Sequence, residues 1–157
     1  MTITYLALAD TDQIRATLGA DVKDLPDADL TNYDLENELR GNLLDWLPTY
    51  ATVISEGDAG SPTTAQELKY LKLLTYSKCF LSWLVGQSAQ NFMMQKYADG
   101  SNEMQRFKFD QSALMQSLVQ RYEGAKADIL ELIDSTEDNT VPQFGVVTAG
   151  YDAVTNT

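Results

Sequence analysis

Residues Thr64–Gln95, TAQELKYLKLLTYSKCFLSWLVGQSAQNFMMQ, decide the fold. Thr64 with Glu67 three residues on has the spacing of a capping box, and Ser61-Pro62 just upstream offers a second helix start, so a long helix is predicted here. Its first turns set Leu68, Leu71 and Leu74 among Lys69, Lys72 and Thr75, whereas from Cys79 to Val85 the run CFLSWLV is apolar on almost every face. A helix apolar all round has neighbours on every side. A membrane span needs roughly 20 mostly apolar residues, and Lys78, Ser82 and the polar GQSAQN interrupt this run too soon for one. The stretch is expected to be the central helix of a soluble helical domain.

Downstream, Asp99-Gly100 marks a tight turn. A third long helix is predicted from about Glu103 to Ile133: Met104, Phe107, Gln111, Leu114, Leu118, Tyr122, Ala125, Ile129 and Leu132 keep three-and-four spacing, with Met115 and Ile133 beside the stripe. It either runs unbroken or restarts at Asp110 after a kink near Phe109. The short turn makes it antiparallel to the central helix. At Ser135 the pattern changes: STEDNTVP is polar, and QFGVVTAGYDAVTNT carries valines, Phe144 and Tyr151 between glycines. One strand's worth of chain forms no sheet alone. The segment is either a disordered tail or an arm that takes its order from another subunit by strand addition or by lodging Phe144 and Tyr151 in pockets.

Upstream, a second helix is predicted from about Leu30 to Leu47 on the spacing of Leu35, Leu39, Leu43 and Trp46, widened by Tyr33, Leu44 and Leu47. Glu36 and Arg40 form an i,i+4 pair on its other side, Gly41 within it points to close packing, and Pro48 stops it. Ser55 to Thr63 reads as a loop. Before these, Thr2 to Leu8 is a β-prone lead-in; Asp10 caps a short helix bearing Ile14 and Leu18, with Gln13 as its box partner and Gly19 ending it. Asp21 to Asp29 is a turn-rich connector in which Pro26 pushes Leu25 out of helical geometry. The sum is an all-α bundle of about three main helices plus a short N-terminal helix over residues 1–134, with an extended C-terminal arm at 135–157.

The chain has 157 residues, enough for one domain with a core. Its net charge of −12 is unevenly spread: Met1–Gly60 carries 3 basic and 12 acidic residues, Ser61–Asp134 carries 8 of each, and Ser135–Thr157 carries 3 acidic residues and no basic one. Such a field disfavours a protein that clamps nucleic acid, without excluding one that DNA slides past. The single cysteine, Cys79, allows no internal disulfide and reads as a small core residue. MTITYLALAD lacks the basic region of a signal peptide, so a cytoplasmic setting is expected.

Little points to catalysis. The chain has no histidine, which removes imidazole bases and zinc sites that need them, and it has no phosphate-loop or dinucleotide-binding string. Asp34 and Glu38, at i,i+4, fit a divalent metal or a catalytic pair, and fit a plain solvated face better. Asp27-x-Asp29-x-Thr31 with Glu38 at the twelfth position imitates a calcium loop but lacks its central glycine. Tyr70, Tyr76, Phe80 and Trp83 read as core at helical spacing. The expectation is a non-enzymatic chain with no cofactor and no metal.

LADTDQIRATLGADVKDLPDADL, followed by an acidic helix, an aromatic central helix and a long amphipathic helix, resembles the head completion proteins of long-tailed bacteriophages, also called adaptors or head-to-tail connectors. The residues that carry the likeness are Asp12, Ile14, Arg15, Leu18 and Gly19, then Leu25-Pro26-Asp27 and Leu30, and the helix order extends it over about Asp10 to Asp134. The resemblance implies a ring, usually dodecameric, beneath the portal protein, through which double-stranded DNA passes without specific binding and onto which the next neck or tail protein docks. It implies a place at the virion neck, a cytoplasmic assembly phase, and an interface role for Phe144, Val146, Val147 and Tyr151. Asp34, Glu38 and Asp45, on the polar side of the second helix, are the candidates for the channel wall. Two other readings use the same features: another neck protein, a stopper or tail completion protein, and an acidic regulator or DNA mimic that binds a basic partner.

Overall fold

Thr63 and Gln66 set where the central helix begins. The Gln66 amide donates to Thr63 Oγ1 at 3.3 Å while the Thr63 amide donates to Gln66 Oε1 at 2.9 Å, a reciprocal box lying one residue ahead of the Thr64–Glu67 pair the sequence favours. The computed structural model describes residues 2–96 and 103–137. Among them the chain forms an all-α bundle with one small ribbon: β1 (Thr4–Tyr5), β2 (Ala9–Asp10), α1 (Thr11–Leu18), α2 (Asp27–Thr31), α3 (Leu35–Trp46), α4 (Tyr50–Gly57), α5 (Thr64–Lys96) and α6 (Glu103–Glu137). No helix among the described residues is long and apolar enough to cross a membrane.

α5 and α6 are the spine. Lys72 meets Asp128 at 2.6 Å near the start of α5, and further along Phe80 and Trp83 both pack on Tyr122, so the two helices run antiparallel. The apolar run of α5 is enclosed as its composition requires: Cys79, Leu81, Ser82 and Val85 are inaccessible to solvent, and Trp83 and Leu84 are half-buried. In its first turns, however, the core takes Leu73, while Leu68 and Leu71 stay 39% and 50% exposed. α6 is unbroken from Glu103 to Glu137, which removes the restart at Asp110. Its buried seam is Met115, Leu118, Tyr122, Ala125 and Ile129. The Asp99-Gly100 turn lies outside the described residues.

The segment read as one helix from Leu30 to Leu47 is two, broken at Asp34, whose φ of 48° is left-handed. The break follows from burial. Leu30 and Leu35 are both in the core, yet five residues of continuous helix would place them about 140° apart. A turn through Asn32, Tyr33 and Asp34 resets the phase, and Leu35, Leu39, Leu43 and Leu47 then enter the core together. The Glu36–Arg40 pair forms, at 3.4 Å. Gly41 is exposed and a Cβ there would touch nothing, so close packing is not its reason. α4 occupies what the sequence left without an element, and the loop shortens to residues 58–63. A Cβ on Gly57 would lie 2.2 Å from Tyr70 Cβ, so the end of α4 approaches α5 more closely than a side chain permits.

At the N-terminus β1 and β2 form an antiparallel ribbon, turned through Leu6 and Ala7, both with positive φ. Asp10 and Gln13 make the expected capping box on α1, and Gly19 closes it in the left-handed conformation. Arg15, only 5% exposed, ties the connector down: Nε donates to the Leu25 carbonyl at 2.8 Å, and the guanidinium pairs with Asp12 and Asp27. Arg15 with Asp12, the Leu25 carbonyl and Asp27 is thus a latch that holds α1 against the start of α2.

Candidate interaction surfaces

α3 presents the acidic candidates. Glu38 and Asp45 sit two turns apart on its exposed side, and Asp34 stands just before the helix in the turn, not on it. The Asp34 carboxylate accepts both of its hydrogen bonds from Asn37 Nδ2, at 2.9 and 3.0 Å. Among the described residues neither Glu38 nor Asp45 makes an ion pair. Leu44, 51% exposed, stands beside Asp45 on the same helix. This is a solvated acidic ridge, and no group of three carboxylates or thiols able to hold a metal occurs among the described residues.

The calcium-loop spacing fails on geometry. Asp27–Thr31 is helical, and the Asp27 carboxyl is taken by Arg15, whose hydrogen bond holds it below the ordinary carboxylate range. Of the aromatic set read as core, Tyr76 and Phe80 are buried, while Tyr70 and Trp83 are partly buried and pack against the core. Trp46, Tyr76, Phe80, Trp83 and Tyr122 pack with ring centroids 4.7 to 6.1 Å apart. Trp46 Nε1 donates to Tyr76 Oη at 3.1 Å and to Asn42 Oδ1 at 3.2 Å, and Tyr76 Oη donates in turn to Asn42 Oδ1. Burial pushes the Tyr76 phenol up to about 12, so it stays a neutral donor. Burial likewise raises the Cys79 thiol, against the opposing pull of Arg121 and Lys78, which keeps it protonated and inert.

A second surface was not legible in the sequence. Along one side of the α5–α6 pair runs a groove in two parts. The first, about 460 Å³, is flanked by Leu68, Leu71, Lys72, Gly124 and Asp128; the second, about 360 Å³, is flanked by Lys78, Ser117, Leu118 and, from α1, Gln13 and Thr17. Arg121 borders both. Lys72 is neutralised by Asp128. Among the described residues Lys78 and Arg121 have no acidic partner, and no acid lines the second part. The signal that would have found this pair is the antiparallel register, which brings positions 78 and 121 together and which local periodicity does not contain.

Phe144, Val146, Val147 and Tyr151 lie outside the described residues. Comparison of the chain with family models, curated proteins and solved structures finds no match.

Proposed function

We propose that the chain is a structural protein of the head-to-tail connector class, forming a ring beneath a portal vertex that extends the DNA channel and docks the next neck or tail component. The observation that carries this reading is the separation of charge over a helical bundle: an exposed acidic ridge on α3 whose Glu38 and Asp45 make no ion pair among the described residues, in a first third of net −9, set against an α5–α6 region of net zero. The sequence resemblance over Asp10 to Asp134 supports it. In the ring, Asp34, Glu38 and Asp45 face the channel. An acidic wall offers phosphates no cations to exchange for counterions, so passing DNA is not held. Phe144, Val146, Val147 and Tyr151 make contacts between copies or to the portal. The protein assembles in the host cytoplasm and ends at the virion neck.

The test is electron microscopy of complexes captured on a tagged copy from the cells that naturally produce it. A ring stacked coaxially on a larger ring, or label at the neck of a tailed particle, is the expected result. Isolated monomers bound to one basic enzyme, released by salt, would refute the connector in favour of an acidic regulator.

A further inference from the structure

We propose that the cleft between α1, α5 and α6 binds a small phosphate monoester, with Lys78 and Arg121 on its phosphoryl oxygens, the Gln13 amide as a neutral donor, and Leu114 and Leu118 against its organic body. This site lies apart from the acidic ridge and stands whether or not a ring forms.

The cations are the first observation. Elsewhere among the described residues Arg15, Arg40 and Lys72 are held in ion pairs, and Lys126 lies over the Trp46 ring. Lys78 and Arg121 have no acidic partner among those residues, and no acid lines the cleft they share, in a chain of net −12. Two like charges on one cleft repel, and an anion between them offsets that repulsion. Both charges also lower the Cys79 thiol against the larger upward push of burial, so they bear on one point from two helices. Beside them Phe80 and Trp83 pack on Tyr122, which fixes α5 against α6. The pair is therefore in register before a ligand arrives, and binding does not have to order it.

The rest of the lining selects the ligand. Gln13 is held by the α1 cap: its Oε1 accepts from the Asp10 amide at 3.4 Å, which leaves Nε2 with no acceptor among the described residues. Leu118 is buried and Leu114 half-buried, so one wall is apolar. Two full positive charges match a dianion, and three donors match three phosphoryl oxygens, whereas a carboxylate offers one charge and two oxygens. The apolar wall asks for an organic body beyond the phosphate. The cleft, about 360 Å³, has the size of a small-molecule site. A nucleic acid strand is disfavoured, because α1 belongs to the first third of the chain, where 12 acids face 3 bases.

Nuclear magnetic resonance titration of the full chain with phenyl phosphate, at constant ionic strength, tests this. Saturable shifts confined to the amides around Gln13, Lys78, Ser117 and Arg121 are expected, with a Kd on the order of 1 mM or tighter. Benzoate, with the same ring and one charge, should bind about tenfold more weakly. Lys78→Met and Arg121→Met should each weaken phenyl phosphate about tenfold, as should Ser117→Asp, which sets an acid on the exposed rim without removing a packed side chain. Arg40→Met, the same change of net charge on α3, should leave the Kd within about twofold. Helix content by circular dichroism checks that each variant folds. Absence of a saturable shift overturns the proposal, as does benzoate binding as tightly as phenyl phosphate, or a loss in Arg40→Met equal to that in the cleft variants. A short DNA duplex that shifts the same amides at lower concentration assigns the cleft to nucleic acid and overturns it equally. None of these outcomes bears on whether a ring is seen at a portal, so the two readings fail separately.

Discussion

Replacing Arg15 with alanine tests whether the latch holds the N-terminal third to the bundle. The side chain is 5% exposed and its Nε serves the Leu25 carbonyl at 2.8 Å. Removing it leaves a buried acceptor without its charged donor, which costs about 1–3 kcal/mol. Loss of the packed methylene stem adds roughly 1 kcal/mol. Asp27, partly open to water, rehydrates, so no buried-charge penalty is added. The sum is about 3 kcal/mol, well above the ~0–1 kcal/mol of a surface pair. The sign of the pH dependence follows from Asp27, whose carboxyl is held below its ordinary value of 3.8 by the Arg15 hydrogen bond. A carboxylate depressed in the fold stabilises it above the unfolded value, and that contribution is lost as pH falls through the folded value. The wild type therefore loses stability below about pH 4 in part through this pair, and Arg15→Ala lacks that share of the loss. Urea unfolding followed at 222 nm, at pH 7 and near pH 3, measures both. A difference under about 0.5 kcal/mol at pH 7 would refute the latch, because it would place Arg15 among ordinary surface charges.

Two glycines on neighbouring elements should respond oppositely to alanine. Gly57→Ala must displace the Tyr70 Cβ contact and is expected to cost ~1–3 kcal/mol, whereas Gly41→Ala, in open space on α3, should gain up to about 1 kcal/mol; chemical denaturation of both variants reads the contrast. Ala7→Gly, at an exposed turn position with φ of 58°, should stabilise by roughly 1 kcal/mol through relief of the left-handed penalty, seen as a raised urea midpoint. Cys79, fully buried with its thiol raised by that burial, should resist a thiol reagent at pH 8 and react at the free-thiol rate in denaturant; rapid labelling of the folded chain would contradict the enclosed packing of α5.

By itself the sequence determined the all-α class, the central helix, the seam of α6 from Leu118 to Ile129, and the Asp10–Gln13 box closed by Gly19. Each is written in residues three or four apart, and such spacings bind local backbone geometry whatever surrounds them. Thr63-Thr64-Ala65-Gln66-Glu67 contains two overlapping boxes, and only the packed helix selects the first. Tertiary structure decided the remainder. Leu30 and Leu35 are each plausible on one continuous helix; that both must reach the same core is what breaks it at Asp34. The resemblance string Asp12, Arg15 and Leu25-Pro26-Asp27 gains a physical role only when Arg15 is seen buried between α1 and the connector. The exposed Leu68 and Leu71, and the facing of Lys78 and Arg121, follow from how α6 lies along α5. That register is set by long-range burial of Tyr76, Phe80 and Tyr122 against one another, a contact between residues more than forty positions apart that no local pattern encodes.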